Sequence, residues 1–146
     1  EMDNVPGMLG VLMNKTRLED AVWRSDLLGV DVLPGDKTNT NAADLFASPQ
    51  FGRLLRNARK SYDVILIDTP PVLLVPDARV IGHHADAILY TVHWDKTPRQ
   101  QVIAGLRSFQ TVGLCVTGMV LSKVNPSLQK SYGHDHGLDS KGYYHN

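Results

Sequence analysis

The stretch Tyr62-Asp63-Val64-Ile65-Leu66-Ile67-Asp68-Thr69-Pro70-Pro71 constrains this chain more than any other. Val64, Ile65, Leu66 and Ile67 form an unbroken apolar run of β-branched and leucine residues, the pattern of a strand buried on both faces. Such strands belong to parallel sheets covered by helices. Neither a strand nor a helix interior continues through Pro70-Pro71, so the run ends at Asp68. In open α/β sheets, ligands bind just outside the carboxyl ends of the strands. An acid there stands where a metal–phosphate group would be met. An apolar strand ending in Asp has the form of a Walker B element, whose acid holds Mg²⁺ directly or through water. The same residue, taken alone, is also an ordinary turn aspartate after a buried strand.

The flanking sequence supplies helices and further strands. Met8, Leu9, Val11 and Leu12, then Leu18, Ala21 and Val22, mark two short helices around a loop at Asn14-Lys15-Thr16, with Trp23 as an anchor. Residues 27–33 read as a strand centred on Val30 and Val32, stopped by Pro34-Gly35. The polar loop from Gly35 to Asn41 contains Lys37-Thr38 but is no phosphate loop. That motif needs Gly-x-x-x-x-Gly-Lys-Ser/Thr with Gly and Lys adjacent, and here Asp36 intervenes. A helix starts at Ala42, and Ser48-Pro49 restarts it as N-cap and first helical residue. Phe51, Leu54, Leu55 and Ala58 then form one apolar face. The opposite face carries Arg53, Arg56, Asn57 and Lys60 and reads as solvated.

Beyond the prolines, Pro76-Asp77-Ala78-Arg79 opens a helix reaching His83-His84. Asp77 is either a first-turn acid favoured by the helix dipole or a site residue. His83 and His84 are adjacent, point about 100° apart on a helix, and read as surface histidines rather than metal ligands. Residues 86–93 are the next strand. Thr97-Pro98 begins a helix with Val102, Ile103, Leu106, Phe109 and Gln110 on its buried side, ended by Gly113. Residues 116–121 are the last strand. Strand, helix, strand, helix, strand at these lengths implies βαβ units and a parallel sheet.

Composition sets the remaining bounds. The 146 residues fit one domain, and fifteen basic residues balance fifteen acidic ones, so no nucleic-acid or membrane-surface partner is expected. No apolar stretch approaches the roughly 18 residues of a spanning helix, and no signal peptide pattern is present. The lone Cys115, within an apolar run, is expected to be a small buried residue in a reducing compartment. A chain beginning at Glu1 reads as a piece of something longer. From residue 127 the character changes. The last twenty residues hold two aliphatic side chains, Leu128 and Leu138, among glycines and polar residues, and are expected to form a flexible tail. Tyr132, Tyr143 and Tyr144 lie in it, with His134, His136 and His145. The His-x-His there suits adventitious metal binding, and no specific metal site is expected.

The ordered set of motifs resembles the later part of the catalytic domain of the bacterial protein-tyrosine kinases of capsule and exopolysaccharide export. These belong to the MinD/ParA-like P-loop ATPase superfamily. Ile67-Asp68-Thr69-Pro70-Pro71 is the most specific match. Residues 7–12 resemble the family's short Gly-Leu-rich helix, and Val32-Leu33-Pro34-Gly35, Asn41 and residues 44–51 resemble its loop and helix before Walker B. Asp77-Ala78 stands where the family has an Asp-Ala pair, residues 118–124 resemble its last core strand, and the tyrosine-bearing tail completes the pattern. The chain departs from the family in holding no Walker A sequence and no Walker A′ strand. Ala42 follows Asn41 where Pro is usual, and Ser122 stands where related ATPases have an Asn near the nucleotide base.

The resemblance implies an α/β fold: a partial doubly wound parallel sheet in three layers, P-loop NTPase-like over residues 1–126, with a tail over 127–146. It implies an ATP-dependent protein-tyrosine autokinase that regulates polysaccharide polymerisation and export, inactive as this segment alone. Asp68 would hold Mg²⁺ and Thr69 would act beside it in catalysis. Pro70, Ser122 and Asn125 would join Asp68 around ATP, and Tyr132, Tyr143 and Tyr144 would accept phosphate. The implied partners are further copies of the chain in a ring and a membrane-bound co-polymerase or activator. The implied location is the cytoplasmic side of the inner membrane. A partitioning or assembly ATPase, or a non-catalytic module of the same fold, are the alternatives.

Overall fold

The computed structural model describes residues 7–36 and 42–126; the tail with Tyr132, Tyr143 and Tyr144, and loop residues 37–41, lie outside them. The elements run α1 (Met8–Leu12), α2 (Leu18–Ala21), β1 (Trp23–Ser25), β2 (Val30–Val32), α3 (Ala42–Phe46), α4 (Pro49–Ala58), α5 (Asp77–Gly82), β3 (Leu89–His93), α6 (Arg99–Gln110) and β4 (Gly118–Ser122).

Two helices flank Asn14-Lys15-Thr16 as expected, because Asn14 takes the left-handed conformation (φ 56°) and turns the chain. The expected strand over 27–33 is instead a hairpin. Trp23 to Ser25 pairs antiparallel with Val30 to Val32, and the turn between them leaves Leu27 and Leu28 exposed. Trp23 therefore opens the strand β1. The loop after β2 folds back on α1. The Met8 amide donates to the Pro34 carbonyl (2.9 Å) and the Leu9 amide to Asp36 Oδ2 (2.6 Å). Asp36, the residue that breaks the phosphate-loop spacing, thus satisfies a free amide at a helix start.

The Ser48 hydroxyl accepts from the Phe51 amide (3.3 Å), with Pro49 opening α4. Phe51, Leu54 and Ala58 are buried on its inner face. Phe51 and Leu54 form the first apolar cluster with Leu12 and Ile81, and Met8, Leu45 and Ile67 pack against it. Burying each such large side chain contributes about 1.5–3 kcal/mol. Phe51 anchors this cluster, with the rings of Phe46 and His84 edge-on at 5.2 and 5.4 Å.

A second cluster gathers Val72, Ala78 and Phe109 under β3 and α6. The strands β3 and β4 pair in parallel from Leu89↔Gly118 to His93↔Ser122, with α6 as the crossover between them. The inner stripe of α6 is Val102, Gly105, Leu106 and Phe109; Ile103 and Gln110, expected inside, face out. Gly113 at φ +75° ends the helix turn as expected. Cys115 is exposed, not buried: Leu114 and Val116 turn inward to pack on the second cluster, so the residue between them faces outward.

The largest departure concerns residues 64–67. They are extended but hydrogen-bonded to no strand, and Val64 (83% exposed) and Leu66 (86%) face solvent. Only the alternate side is covered, through Ile67. Burial on both faces needs a neighbouring strand and a second helical layer. Among the described residues no strand pairs with this one.

Candidate functional site

Asp68 is suspended between two anchors. Ile67 is packed on the first cluster and Val72, four residues after Asp68, is buried in the second. Pro70 and Pro71 between them fix φ and supply no amide donors, so the link holds an extended path without internal hydrogen bonds. The Leu74 amide then turns back onto the Pro71 carbonyl (2.9 Å) and the chain enters α5. At the other end, the Tyr62 hydroxyl donates to Asp31 Oδ2 (2.9 Å), tying the start of the stretch to β2. Asp68 and Pro70 are exposed and Thr69 is half-buried. The Asp68 carboxylate has no hydrogen-bond or ion-pair partner among the described residues.

The carboxyl ends of β3 and β4 lie together because the two strands are parallel and in register. Ser122 closes β4. Its hydroxyl donates to the Val92 carbonyl (3.2 Å), and its own carbonyl accepts from the Trp94 amide (2.9 Å). A hydroxyl already bonded across the pair is a weaker base contact than a free amide side chain. Lys123 follows in the left-handed region (φ 56°), and Asn125 leaves the sheet exposed to solvent. Asp77 opens α5 and is buried (8%) at the helix start, where the dipole favours a negative charge. His83 is exposed, while the His84 ring is half-buried and edge-on to Phe51.

Among the described residues no group of three or more His, Cys, Asp or Glu side chains is placed to hold a metal. A single uncommitted carboxylate nonetheless fits Mg²⁺ of the nucleotide-bound kind. That ion keeps several waters and takes one or two carboxylates, completing its shell with substrate phosphates.

The parallel pair with its helical crossover, and the acid closing an extended apolar segment, define a partial α/β fold of the P-loop NTPase type. No family model matches the chain. Its homologues are bacterial tyrosine-protein kinases. It is 29% identical over 142 residues to the tyrosine-protein kinase wzc of Salmonella typhimurium, matching 97% of this chain and 19% of that protein. It is 29% identical over 133 residues to the tyrosine-protein kinase YwqD of Bacillus subtilis, 91% of this chain and 56% of that one. The crystal structure of the VpsO kinase domain superposes with a TM-score of 0.75 at 28% identity, covering 82% of this chain and 59% of that domain. The chain thus spans about a fifth of one curated relative and just over half of the other.

Two features at this site escaped the sequence reading. The Tyr62–Asp31 bond joins residues 31 apart, and no periodicity announces it. The α1–α2 loop and α4 also enclose a cleft between them, and that contact is tertiary.

Proposed function

We propose that this chain is the later part of a bacterial protein-tyrosine autokinase domain acting in capsule or exopolysaccharide synthesis. The observation that carries the reading is the uncommitted Asp68 carboxylate at the end of Ile67, followed by Thr69-Pro70-Pro71, in a chain whose homologues are tyrosine kinases. In the complete domain Asp68 holds Mg²⁺ through water or directly, and Thr69 and the two prolines shape the backbone beside the γ-phosphate. Mg²⁺ supplies charge neutralisation on the transferring phosphoryl group. The bond from the γ-phosphorus to its bridging oxygen breaks, and a bond to a tyrosine oxygen forms. The phenol proton leaves to solvent or a base. Pro70, Ser122 and Asn125 border the nucleotide, with Ser122 contributing chiefly through its backbone.

The acceptors are Tyr132, Tyr143 and Tyr144 in the segment from residue 127 onward. Transfer runs between neighbouring copies of the chain, assembled with one another and with a membrane-bound partner at the cytoplasmic face. No helix among the described residues is long and apolar enough to cross a membrane. The domain division at residue 126 follows the same reading. Residues 1–126 carry the fold and 127–146 carry the acceptors.

The 146 residues contain no Gly-x-x-x-x-Gly-Lys-Ser/Thr, so the isolated chain should neither hydrolyse ATP nor label itself. In the full-length parent, Asp68→Asn should abolish most ATP-dependent tyrosine labelling while leaving the circular dichroism spectrum intact. Unchanged labelling at ordinary Mg²⁺ would reduce Asp68 to a turn residue and remove the proposal's support.

A further inference from the structure

A cleft of about 560 Å³ lies between the α1–α2 loop and the outer side of α4. Its floor is apolar, with Leu12 and Leu54 buried and Val11 and Leu18 half-buried. Its rim carries four cations, Lys15, Arg17, Arg53 and Lys60, against one acid, Glu19. Arg53 stands on α4, Lys60 in the turn after it, and Lys15 on the loop opposite. The position of Lys15 is set by the backbone: after left-handed Asn14, its amide donates to the Gly10 carbonyl at 2.9 Å.

The charges there are unbalanced. Arg17 also lines the cleft but is committed to Asp20 at 3.0 Å and Glu19 at 3.9 Å. Lys60 donates only to the neutral Asn57 Oδ1 (3.3 Å). Lys15, Arg53 and Lys60 therefore have no carboxylate partner among the described residues. Three cations around an apolar floor suit a ligand with an apolar body and a concentrated negative head. An arginine fork with two lysines matches a phosphate dianion, and an aromatic ring fits over leucine side chains.

We infer that the cleft binds a phosphotyrosine side chain, and that its source is Tyr143 or Tyr144 of a second copy of this chain. The choice of source rests on the proposed autokinase function; the demand for an aryl phosphate rests on the cleft alone. A phosphoryl group adds about −1.5 to −2 charges near neutral pH, close to what the three cations can absorb. Phosphoserine reaches the cations only by leaving the leucine floor empty.

Binding is measured by titration calorimetry on the full 146-residue chain. The ligands are a synthetic peptide of residues 140–146 phosphorylated on both tyrosines, the same peptide unphosphorylated, inorganic phosphate and AMP. The phosphopeptide is expected to bind about tenfold or more tighter than each of the others. Arg53→Glu should weaken it by about tenfold or more, and Arg53→Gln by less. Arg56→Glu changes net charge equally on the same helix but outside the cleft, and should leave binding within about twofold. Both positions are exposed, so folding is expected to survive and is checked by circular dichroism. Equal loss in Arg53→Glu and Arg56→Glu would reduce the effect to bulk charge. AMP or phosphate binding as tightly as the phosphopeptide would overturn the aryl-phosphate assignment. The peptide is made chemically, so failure of the autokinase reading would not by itself alter these results.

Discussion

The Tyr62 hydroxyl donates to Asp31 Oδ2 at 2.9 Å, while Arg24, the cross-strand partner of Asp31, donates to its other oxygen at 3.2 Å. One carboxylate thus joins both strands of the hairpin to the start of the segment that presents Asp68. Tyr62 and Arg24, in that order, hold the Asp31 carboxyl below the ordinary carboxylate range. Partial burial, and then the bond to Asp31, push the Tyr62 phenol above its usual value. The depressed Asp31 group contributes stability above about pH 4, which is lost as pH falls through its folded value. The raised Tyr62 group contributes stability below about pH 10, which is lost as pH rises through its folded value. Tyr62→Phe should therefore remove the alkaline loss due to this residue and shrink the acid one, whereas Arg24→Gln should shrink chiefly the acid one. Urea midpoints from about pH 3 to about pH 11 for the three proteins would check this; parallel curves would rule the bond out as a contributor.

Ser48 caps α4 through the Phe51 amide and also donates to the Leu45 carbonyl at 2.6 Å, closing the turn from α3. Ser48→Ala should cost about 1 kcal/mol and Ser48→Asp much less, since Asp keeps the acceptor. Equal losses in the two variants by urea denaturation would show that the bond to Leu45, and not the cap, is what matters.

Phe51 is 2% exposed and touches both Phe46 and His84. Phe51→Ala should cost about 3–5 kcal/mol, a large share of the stability of a small domain. The expected readout is loss of the cooperative thermal transition at neutral pH. A transition shifted by only a few degrees would mean that Phe46 or Leu54 refills the space.

A Cβ placed on Gly105 would fall on the Tyr90 hydroxyl and within 2.8 Å of Tyr90 Cζ. The Tyr90 ring is in turn set edge-on to Phe109 at 6.4 Å, so it has little room to retreat. Gly105→Ala should destabilise by about 1–3 kcal/mol despite the better helix propensity of alanine. Tyr90→Phe in the same chain removes the hydroxyl and should restore part of the loss. No recovery in the double variant would place the clash at the ring itself.

Val64 and Leu66 project from an unpaired segment, and Leu89 on β3 and Val120 on β4 are also exposed. Unpaired apolar strands of this kind promote association. The isolated chain should self-associate at micromolar concentration. Val64→Thr with Leu66→Thr should shift light scattering toward the monomer without changing the helical signal.

The local elements were legible because their signals are local. Asn14 turns the chain between two short helices, Ser48-Pro49 starts α4, the 3.6-residue period of Phe51, Leu54 and Ala58 names its inner face, and Gly113 ends the α6 turn. The chemistry-bearing candidate Asp68 was read from an apolar run ending in an acid, which is also a local pattern, whereas Ser122 entered only through the family resemblance. Tertiary structure decided what no local pattern encodes. Burial of residues 64–67 depends on which backbone lies alongside, so an apolar run that reads as two-sided is covered here only through Ile67. The same dependence turned Leu27 and Leu28 into an exposed turn and Cys115 outward, since a residue's face follows from where its neighbours pack. It also made a cleft out of Lys15 and Arg53, 38 positions apart. Charge spacing placed Arg53 and Asn57 on one side of α4, with Lys60 in the turn after it, but only the packing of α1 against α4 set a second cation across from them.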